Sequence, residues 1–257
     1  MPNLLFLLKK VFSKLSGLMS RSGKAEKTTL LTLCLAAVSL YVFVVLADEV
    51  IEGDTQGFDS FVLLAFRDRS NPSDPVGPDW FEGIMRDFTA LGSFAVLSAI
   101  SAMAVGFLVL TRKSHAAWMV VGSLTSGVLA SSLLKWAFAR PRPDLALHAT
   151  AVYTQSFPSG HAMLSAIVYL TLGSLLARTQ TEVRVKIYLL AAAAMLTLIV
   201  GVSRIYLGVH WPTDVLAGWA GGGAWALLCW LAMLWLQGKG TVEPPGDGPA
   251  SASNVDS

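Results

Sequence analysis

The sequence predicts an all-α membrane protein, a polytopic bundle of six transmembrane helices. Apolar residues make up 54% of its 257 residues and charged residues only 14%, and its mean hydropathy is +0.58. Soluble domains carry about 25% charged residues, and disordered chains combine low hydrophobicity with high charge, so both classes are excluded. Two cysteines are too few for a disulfide scaffold or a cysteine-rich metal cluster.

Six apolar runs are long enough to cross the hydrocarbon core of a bilayer, which takes about 20 helical residues. They lie at 28–47, 90–110, 116–138, 161–178, 187–206 and 213–237. Only helices and closed barrels satisfy their backbone hydrogen bonds in lipid, and these runs are too long and continuous for barrel strands. Each run therefore predicts a helix, and the fourth is the weakest candidate for a span.

Lysine and arginine are distributed unevenly about these spans, and their excess marks the cytoplasmic side. Twelve flank one side, six of them before the first span, whereas seven flank the other. Both termini are therefore expected in the cytoplasm, and the loops after the first, third and fifth spans should face outward. This layout suits a bacterial inner membrane, with a eukaryotic membrane as the alternative.

Three regions are expected along the chain. Residues 1–27 form a basic amphipathic segment, residues 28–237 the membrane domain, and residues 238–257 a disordered cytoplasmic tail rich in Gly, Pro, Ser and Asp. The connection 48–89 holds ten acidic residues against three arginines, with aromatic residues at helical spacing. It predicts short amphipathic helices at the outer interface, either as a cover packed over the bundle or as a route of lipid access.

Ionisable residues cluster at the predicted outward ends of spans three to six. The cluster consists of Lys135, Arg140, Arg142, His148, His161, Arg204, His210 and Asp214. A single charge at a span end is usually an interfacial anchor. Three of the four histidines lie among these cations, and this joint placement indicates a functional site.

The first group begins with Lys135 in the last turn of span three. Pro141 and Pro143 end that helix, because proline removes a backbone donor and restricts the preceding residue. The chain can then turn and bring Arg142 back toward Lys135. Two fixed cations suit an anion with several oxygens, and arginine can bind phosphate through two hydrogen bonds.

The second group, residues 157–161, opens span four. The unpaired N–H groups and the dipole of a helix N-terminus favour phosphate. Gly160 would let the backbone approach such an anion closely, Ser159 adds a hydroxyl donor, and His161 lies at the edge of the cradle. Taken alone, the segment also fits an ordinary serine N-cap followed by a glycine turn.

The third group surrounds the start of span six, where Pro212 suits the first helical turn. His210 and Asp214 are spaced i, i+4 and so share a face. A carboxylate bonded to one ring nitrogen fixes the imidazole tautomer and leaves the other nitrogen free to attack. Arg204 supplies a third cation.

Together these groups resemble the three-part signature of the type 2 phosphatidic acid phosphatase family, PAP2, which shares its site with vanadium haloperoxidases. The matching positions are Lys135 with Arg142-Pro143, Pro158-Ser159-Gly160-His161, and Ser203-Arg204 with His210 and Asp214. No position departs from the pattern. The motifs cover residues 135–214, and the six-helix layout extends the resemblance to 28–237. Arg140 and His148 fall outside it and are expected to be surface or headgroup anchors.

The resemblance implies a lipid phosphatase that works without a metal through a phosphohistidine intermediate. It implies a phosphate pocket made of Lys135, Arg142, Ser159, Gly160 and Arg204. His210 would be the nucleophile and Asp214 its orienting partner. His161 would protonate the leaving oxygen and afterwards activate water. No cofactor, metal or nucleic-acid partner is expected.

The expected substrate is a phosphate or diphosphate carried by a lipid of the extracytoplasmic leaflet. Undecaprenyl diphosphate, phosphatidylglycerol phosphate, phosphatidic acid and a lipid A phosphate are the candidates. One alternative is a phosphotransferase that passes the phosphoryl group to a second lipid. Another is a non-catalytic lipid-binding or transport protein, although a transporter would place its ionisable residues near mid-span.

Overall fold

The computed structural model describes residues 23–143 and 155–238. Most of the basic N-terminal segment, His148 and the C-terminal tail lie outside the described residues. Within them the chain forms eight helices. These are α1 (Lys24–Glu52), α2 (Gln56–Ala65), α3 (Asp79–Ala90), α4 (Phe94–Leu110), α5 (Ser114–Phe138), α6 (Gly160–Arg178), α7 (Val183–Tyr206) and α8 (Pro212–Gly238).

Five of the described helices, α1 and α5 to α8, are long and apolar enough to span a membrane. A sixth span results if α3 and α4 are taken together, as a pair bent by 48°. These findings confirm the all-α architecture with several membrane spans. The fourth run, the weakest by sequence, forms α6, which is the most buried of the five long helices.

The second predicted span begins later than the sequence indicated. Helix α4 starts at Phe94, because Ser93 caps it by accepting a hydrogen bond from the backbone N–H of Val96 at 3.3 Å. Its 17 residues extend about 25 Å at the rise of an α-helix. That length falls short of the roughly 30 Å hydrocarbon core, so α4 is long enough for a span only when it is taken together with α3.

The acidic connection folds into the two short helices α2 and α3, which pack against α8 and α7. We call residues 53–93 the cover. Its apolar side chains Phe66 and Phe81 contact Tyr206, with ring centroids 6.2 and 5.2 Å away, whereas Phe58 and Phe61 are exposed. The packed-cover interpretation is therefore confirmed. The lipid-access alternative stays a prediction.

Close packing between α6 and α8 sets the position of the site. Gly218 and Gly222 lie one turn apart on the side of α8 that faces α6. A Cβ atom at Gly218 would be only 2.8 Å from the backbone oxygen of Ser159. One at Gly222 would be 2.8 Å from Ala166 Cβ and would clash with the backbone oxygen of Met163. Small residues of this kind let membrane helices approach closely, so the N-terminal ends of α6 and α8 lie side by side.

This packing predicts that Gly222→Ala lowers the stability of the fold. Overpacking of a tight contact costs about 1–3 kcal/mol, so the midpoint of thermal unfolding in detergent should fall. Gly223→Ala is the matched control, because a Cβ there meets no atom within 4 Å and alanine is the better helix former. Equal midpoints for the two variants would contradict the assigned contact.

Candidate active site

The three sequence groups meet at one end of the helix bundle. Lys135 lies in the last turn of α5, Arg204 near the end of α7, and Arg142 in the segment that follows α5. The starts of α6 and α8 are joined directly, because the backbone N–H of Ser159 donates to the backbone oxygen of Asp214 at 3.0 Å. The C-terminal ends of α5 and α7 and the N-terminal ends of α6 and α8 thus lie close together.

His210 lies in the turn between α7 and α8. Gly208 adopts a φ of 69°, a left-handed conformation that favours glycine. The chain reverses there, and α8 begins at Pro212. This turn places the imidazole inside the protein, where His210 is only 1% exposed.

Hydrogen bonds determine the tautomer of His210. Arg142 Nη1 donates to the Val209 carbonyl at 2.6 Å and lies 3.1 Å from His210 Nε2. A guanidinium can only donate, so Nε2 accepts and the ring proton is on Nδ1. Nδ1 lies 3.3 Å from Ser156 Oγ and 3.4 Å from Asp214 Oδ2. The nitrogen with the available lone pair is therefore directed toward the cations.

The same surroundings keep the imidazole neutral. Burial holds the pKa of His210 well below its ordinary value of 6.5, since a buried charge loses its hydration. Neighbouring groups lower this pKa further, in the order Arg204, Arg142, Lys135 and His161. At neutral pH the ring is thus an unprotonated base at Nε2.

Asp214 is fully buried, and its partners are more numerous than the sequence suggested. Its Oδ1 accepts from Arg140 Nη1 at 2.7 Å. Its Oδ2 accepts from the backbone N–H of Trp211 at 2.9 Å and from the Ser156 hydroxyl. The distance from Asp214 Oδ2 to His210 Nδ1, 3.4 Å, is longer than the distances to Arg140 and to the Trp211 N–H. The carboxylate is therefore fixed in place by other groups and presented to the imidazole.

The expectation that Arg140 is a surface or headgroup anchor is wrong. Its side chain is 12% exposed and forms an ion pair with Asp214. Arg140 and Arg142 are two residues apart, and the extended chain that precedes each proline directs their side chains to different partners. Arg140 reaches the carboxylate, whereas Arg142 reaches the imidazole.

Two buried donors beside His210 have no hydrogen-bond partner among the described residues: Ser159 Oγ and Arg204 Nε. Ser159 occupies the N-cap position of α6, but its side chain makes no capping bond, so the ordinary serine cap is not what the structure contains. Arg204 is held by Thr89, whose hydroxyl accepts from Nη1 at 3.0 Å. Buried unsatisfied donors are costly, by about 1–3 kcal/mol each, and an anion with several oxygens would satisfy both.

The remaining predicted residues lie beside the same cations. Lys135 Nζ donates to the carbonyl of Gln155 at 2.8 Å. A Cβ at Gly160 would lie 3.4 Å from Lys135 Cε, so the lysine stem lies against the start of α6. His161, in the first turn of α6, is partly exposed and packs beside Gly92.

Sequence reasoning missed three contributors, Asp59, Thr89 and Ser156, and assigned the wrong role to Arg140. Ser156 lies two residues before the Pro158–His161 motif and meets Asp214 across 58 positions of sequence. Asp59 and Thr89 belong to the acidic connection, where charge and periodicity predicted only amphipathic helices. Arg140 was noted as part of the cluster, but no spacing rule links it to a carboxylate 74 positions away.

Buried cations and unsatisfied donors lie beside a neutral histidine at one end of a bundle of membrane-spanning helices, and this arrangement suits a phosphate group. Residues 116–237 match the family model of the PAP2 superfamily. Over these residues the chain is similar to that superfamily.

Named relatives show the same similarity. Phosphatidylglycerophosphatase B of Bacillus subtilis is 28% identical over 191 residues, covering 72% of this chain and 88% of that protein. Lipid A 1-phosphatase of Rhizobium etli is 32% identical over 122 residues, covering 44% of this chain and 47% of that protein. The crystal structure of a transmembrane PAP2-type phosphatidylglycerolphosphate phosphatase from Bacillus subtilis superposes with a TM-score of 0.68 at 26% identity, covering 76% of this chain and 93% of the other.

These findings make the chain an integral membrane phosphatase that hydrolyses a phosphoric ester. The two relatives are named for different lipid phosphates, so the comparisons support a lipid phosphatase without selecting one lipid.

The burial of His210 predicts that its imidazole stays neutral as the pH falls through the range in which free histidine titrates. Because the folded-state pKa is lowered, protonation should begin only well below 6.5. The chain has four histidines, so nitrogen chemical shifts of ¹⁵N-histidine-labelled protein in micelles can be followed from pH 8 to 5. The His210 signal is identified by its loss in His210→Gln. A titration midpoint at or above 6.5 would contradict the assigned environment.

Proposed function

We propose that this protein removes a phosphate from a lipid phosphate or lipid diphosphate of the extracytoplasmic leaflet, through a phosphohistidine at His210. The observation that carries the proposal is the environment of His210 Nε2. This nitrogen is neutral, buried and unprotonated, and it faces Arg142 at 3.1 Å. A nucleophile with this orientation beside unsatisfied donors suits attack on phosphorus.

Binding of the lipid phosphate begins with an exchange of hydrogen bonds. The Arg142 N–H that now contacts His210 Nε2 can transfer to a phosphate oxygen, which frees the nitrogen lone pair. The unpaired donors Arg204 Nε and Ser159 Oγ supply further hydrogen bonds, and Lys135 adds charge. Phosphoryl transfer has a loose transition state with charge on its equatorial oxygens, so preorganised cations lower the barrier.

In the first step the Nε2 lone pair forms a bond to phosphorus while the bond from phosphorus to the lipid oxygen breaks. The negative charge of the bound phosphate offsets the cations Lys135, Arg142 and Arg204 beside His161. His161 therefore takes up a proton as the substrate binds and supplies it to the leaving oxygen. The ring of His210 becomes positively charged, and Asp214 stabilises that charge through Nδ1–H. Asp214 therefore acts on the transition state and not on substrate binding.

In the second step water attacks the phosphohistidine. His161, now unprotonated, removes a proton from the water while the phosphorus–nitrogen bond breaks and inorganic phosphate forms. His210 returns to the neutral tautomer with its proton on Nδ1. Each proton that His161 donates in the first step is thus recovered in the second, and the cycle requires water as its only other reactant.

We further propose that the site faces the exterior of a bacterial inner membrane, with both termini in the cytoplasm. The excess of lysine and arginine on the opposite side of the spans supports this orientation. Phe58 and Phe61 are 51% and 75% exposed on the cover beside the site. Exposed aromatic side chains at the end of the bundle that carries the site suit the membrane interface, where a lipid would present its headgroup.

The purified protein is predicted to release inorganic phosphate from at least one lipid in a panel with EDTA present. The panel contains phosphatidylglycerol phosphate, phosphatidic acid, undecaprenyl diphosphate and lipid A. His210→Ala should abolish release, and Arg204→Ala should reduce kcat/KM by about 10²–10³-fold, as loss of an oxyanion donor does. His115→Ala is the matched control, because His115 is exposed at the start of α5, far from the site.

Rapid quenching with a ³²P-labelled lipid should trap label on the protein that is stable in alkali, labile in acid and absent from His210→Ala. Wild-type turnover in His210→Ala would contradict the assignment of His210 as the nucleophile. Transfer of label to a second lipid instead of water would favour a phosphotransferase, and loss of activity with EDTA would contradict metal independence.

The orientation predicts opposite labelling of two introduced cysteines. In a background with Cys34 and Cys229 replaced by alanine, Ser73→Cys in the cover should react with an impermeant maleimide in intact cells. Thr181→Cys, between α6 and α7, should react only after the membrane is opened. Both positions are exposed, so accessibility of the side chain is matched. The reverse pattern would place the site in the cytoplasm.

A further inference from the structure

We propose that Asp59 and Arg140 are a positioning pair for the reaction, holding Asp214 at His210 from outside the three motifs. Asp59 lies in α2 of the cover, so this assignment makes the cover a part of the catalytic apparatus. The inference rests on the proposed function, because the groups that are positioned are the proposed nucleophile and its partner.

The central contact is a buried bridge with one cation between two carboxylates. Arg140 Nη2 donates to Asp59 Oδ2 at 2.7 Å, and Arg140 Nη1 donates to Asp214 Oδ1 at 2.7 Å. Both carboxylates are 0% exposed, whereas the arginine side chain is 12% exposed. The planar fork of a guanidinium can hold two acceptors in fixed directions, which lysine cannot do.

Asp59 also fixes the helix that carries Asp214. Its Oδ1 accepts from the backbone N–H of Thr213 at 2.9 Å, and its Oδ2 accepts from the Thr213 hydroxyl at 2.7 Å. Thr213 Oγ1 in turn accepts from Arg140 Nη1 at 2.8 Å. A carboxylate at a helix N-terminus satisfies unpaired donors there. Asp59 thus caps α8 from a different helix, one residue before Asp214.

A fifth group completes the network and orients the arginine. Thr55 Oγ1 accepts from Arg140 Nη2 at 3.1 Å. Two residues of the cover, Thr55 and Asp59, therefore hold one side of the guanidinium, and Asp214 holds the other. Rotation of the arginine away from Asp214 would leave a buried carboxylate without its ionic partner, which is strongly unfavourable.

The network acts on the step in which His210 becomes charged. The separation of His210 Nδ1 from Asp214 Oδ2 is 3.4 Å, long for a hydrogen bond, so stabilisation of the charged ring depends on small movements of the carboxylate. The side chains of Asp59 and Arg140 make no hydrogen bond to the phosphate-pocket residues among the part of the chain that the structure describes. Their loss should therefore lower kcat and leave binding of substrate and phosphate intact.

The test compares Asp59→Asn and Arg140→Gln with wild type in detergent, using the best lipid of the panel. Four quantities are measured: kcat, KM, the inhibition constant of inorganic phosphate, and the thermal midpoint. We expect kcat to fall by about 10–100-fold in each variant, since displacement of a reacting group by about 1 Å can cost 10²-fold. KM and the phosphate inhibition constant should stay within about twofold of wild type, the change expected when an interaction made only in the transition state is lost.

Arg86→Gln is the matched control. Arg86 is another arginine of the cover and pairs with Glu82, with Nε 2.9 Å from Oε1. Within the described residues its side chain forms no hydrogen bond to a motif residue. It should keep wild-type kcat. Arg140→Lys retains the charge without the fork, so its kcat should lie between those of wild type and Arg140→Gln. If Arg140→Gln does not fold, Arg140→Lys and Asp59→Asn carry the test.

Asp59 and Arg140 both act through the carboxylate of Asp214, so the losses of kcat in the two single variants should not multiply in the double variant. The double variant Asp59→Asn/Arg140→Gln should have about the kcat of the more impaired single variant, the pattern of residues that work as one unit. Multiplication of the two losses would overturn the shared route through Asp214.

Three further results would overturn the positioning role. They are wild-type kcat in Asp59→Asn or Arg140→Gln, a rise of KM and the phosphate inhibition constant in parallel with the loss of kcat, and an equal loss in Arg86→Gln. Failure of the wild-type protein to release phosphate from any lipid is a separate outcome, and it would overturn the proposed function itself.

Discussion

The structure of the site depends on one buried negative charge, the carboxylate of Asp214. An unpaired carboxylate inside a protein costs several kcal/mol, so its neighbours must supply a cation and hydrogen-bond donors. They come from three separate parts of the chain: Arg140 after α5, Ser156 before α6, and the backbone of Trp211. Satisfying this carboxylate therefore brings together the same helix ends that carry the three motifs.

Arg140 and Arg142, which are separated by one proline, interact with different groups of the site. Arg140 is paired with the carboxylates of Asp59 and Asp214. Arg142 donates to a carbonyl and to the His210 ring, and Arg204 donates to a hydroxyl. The cations beside His210 thus keep a positive potential that lowers its pKa and suits phosphate. Arg140 is thus committed to carboxylates, whereas Arg142 and Arg204 are the arginines proposed to bind the phosphate.

Much of the fold and of the site could be predicted from sequence, for a physical reason. Lipid requires helices of about 20 apolar residues, so the run lengths indicated the spans. The predicted second span included residues before α4, because hydropathy does not register the helix break between α3 and α4. The motif residues were identified from residue type and local spacing together with the family resemblance, which implied their roles. The structure places all eight of them at one end of the bundle.

The sequence by itself determined the all-α class, the spans and the chemical groups of the site, because these follow from composition and from spacing within short segments. Only the tertiary structure decided the partners of Asp214, the protonated nitrogen of His210 and the place of the acidic connection over the site. Those features depend on contacts between residues as far apart as Asp59 and Thr213, 154 positions along the chain. Local periodicity carries no information about such distant pairs, whereas burial of charge makes their pairing obligatory once the helices have packed.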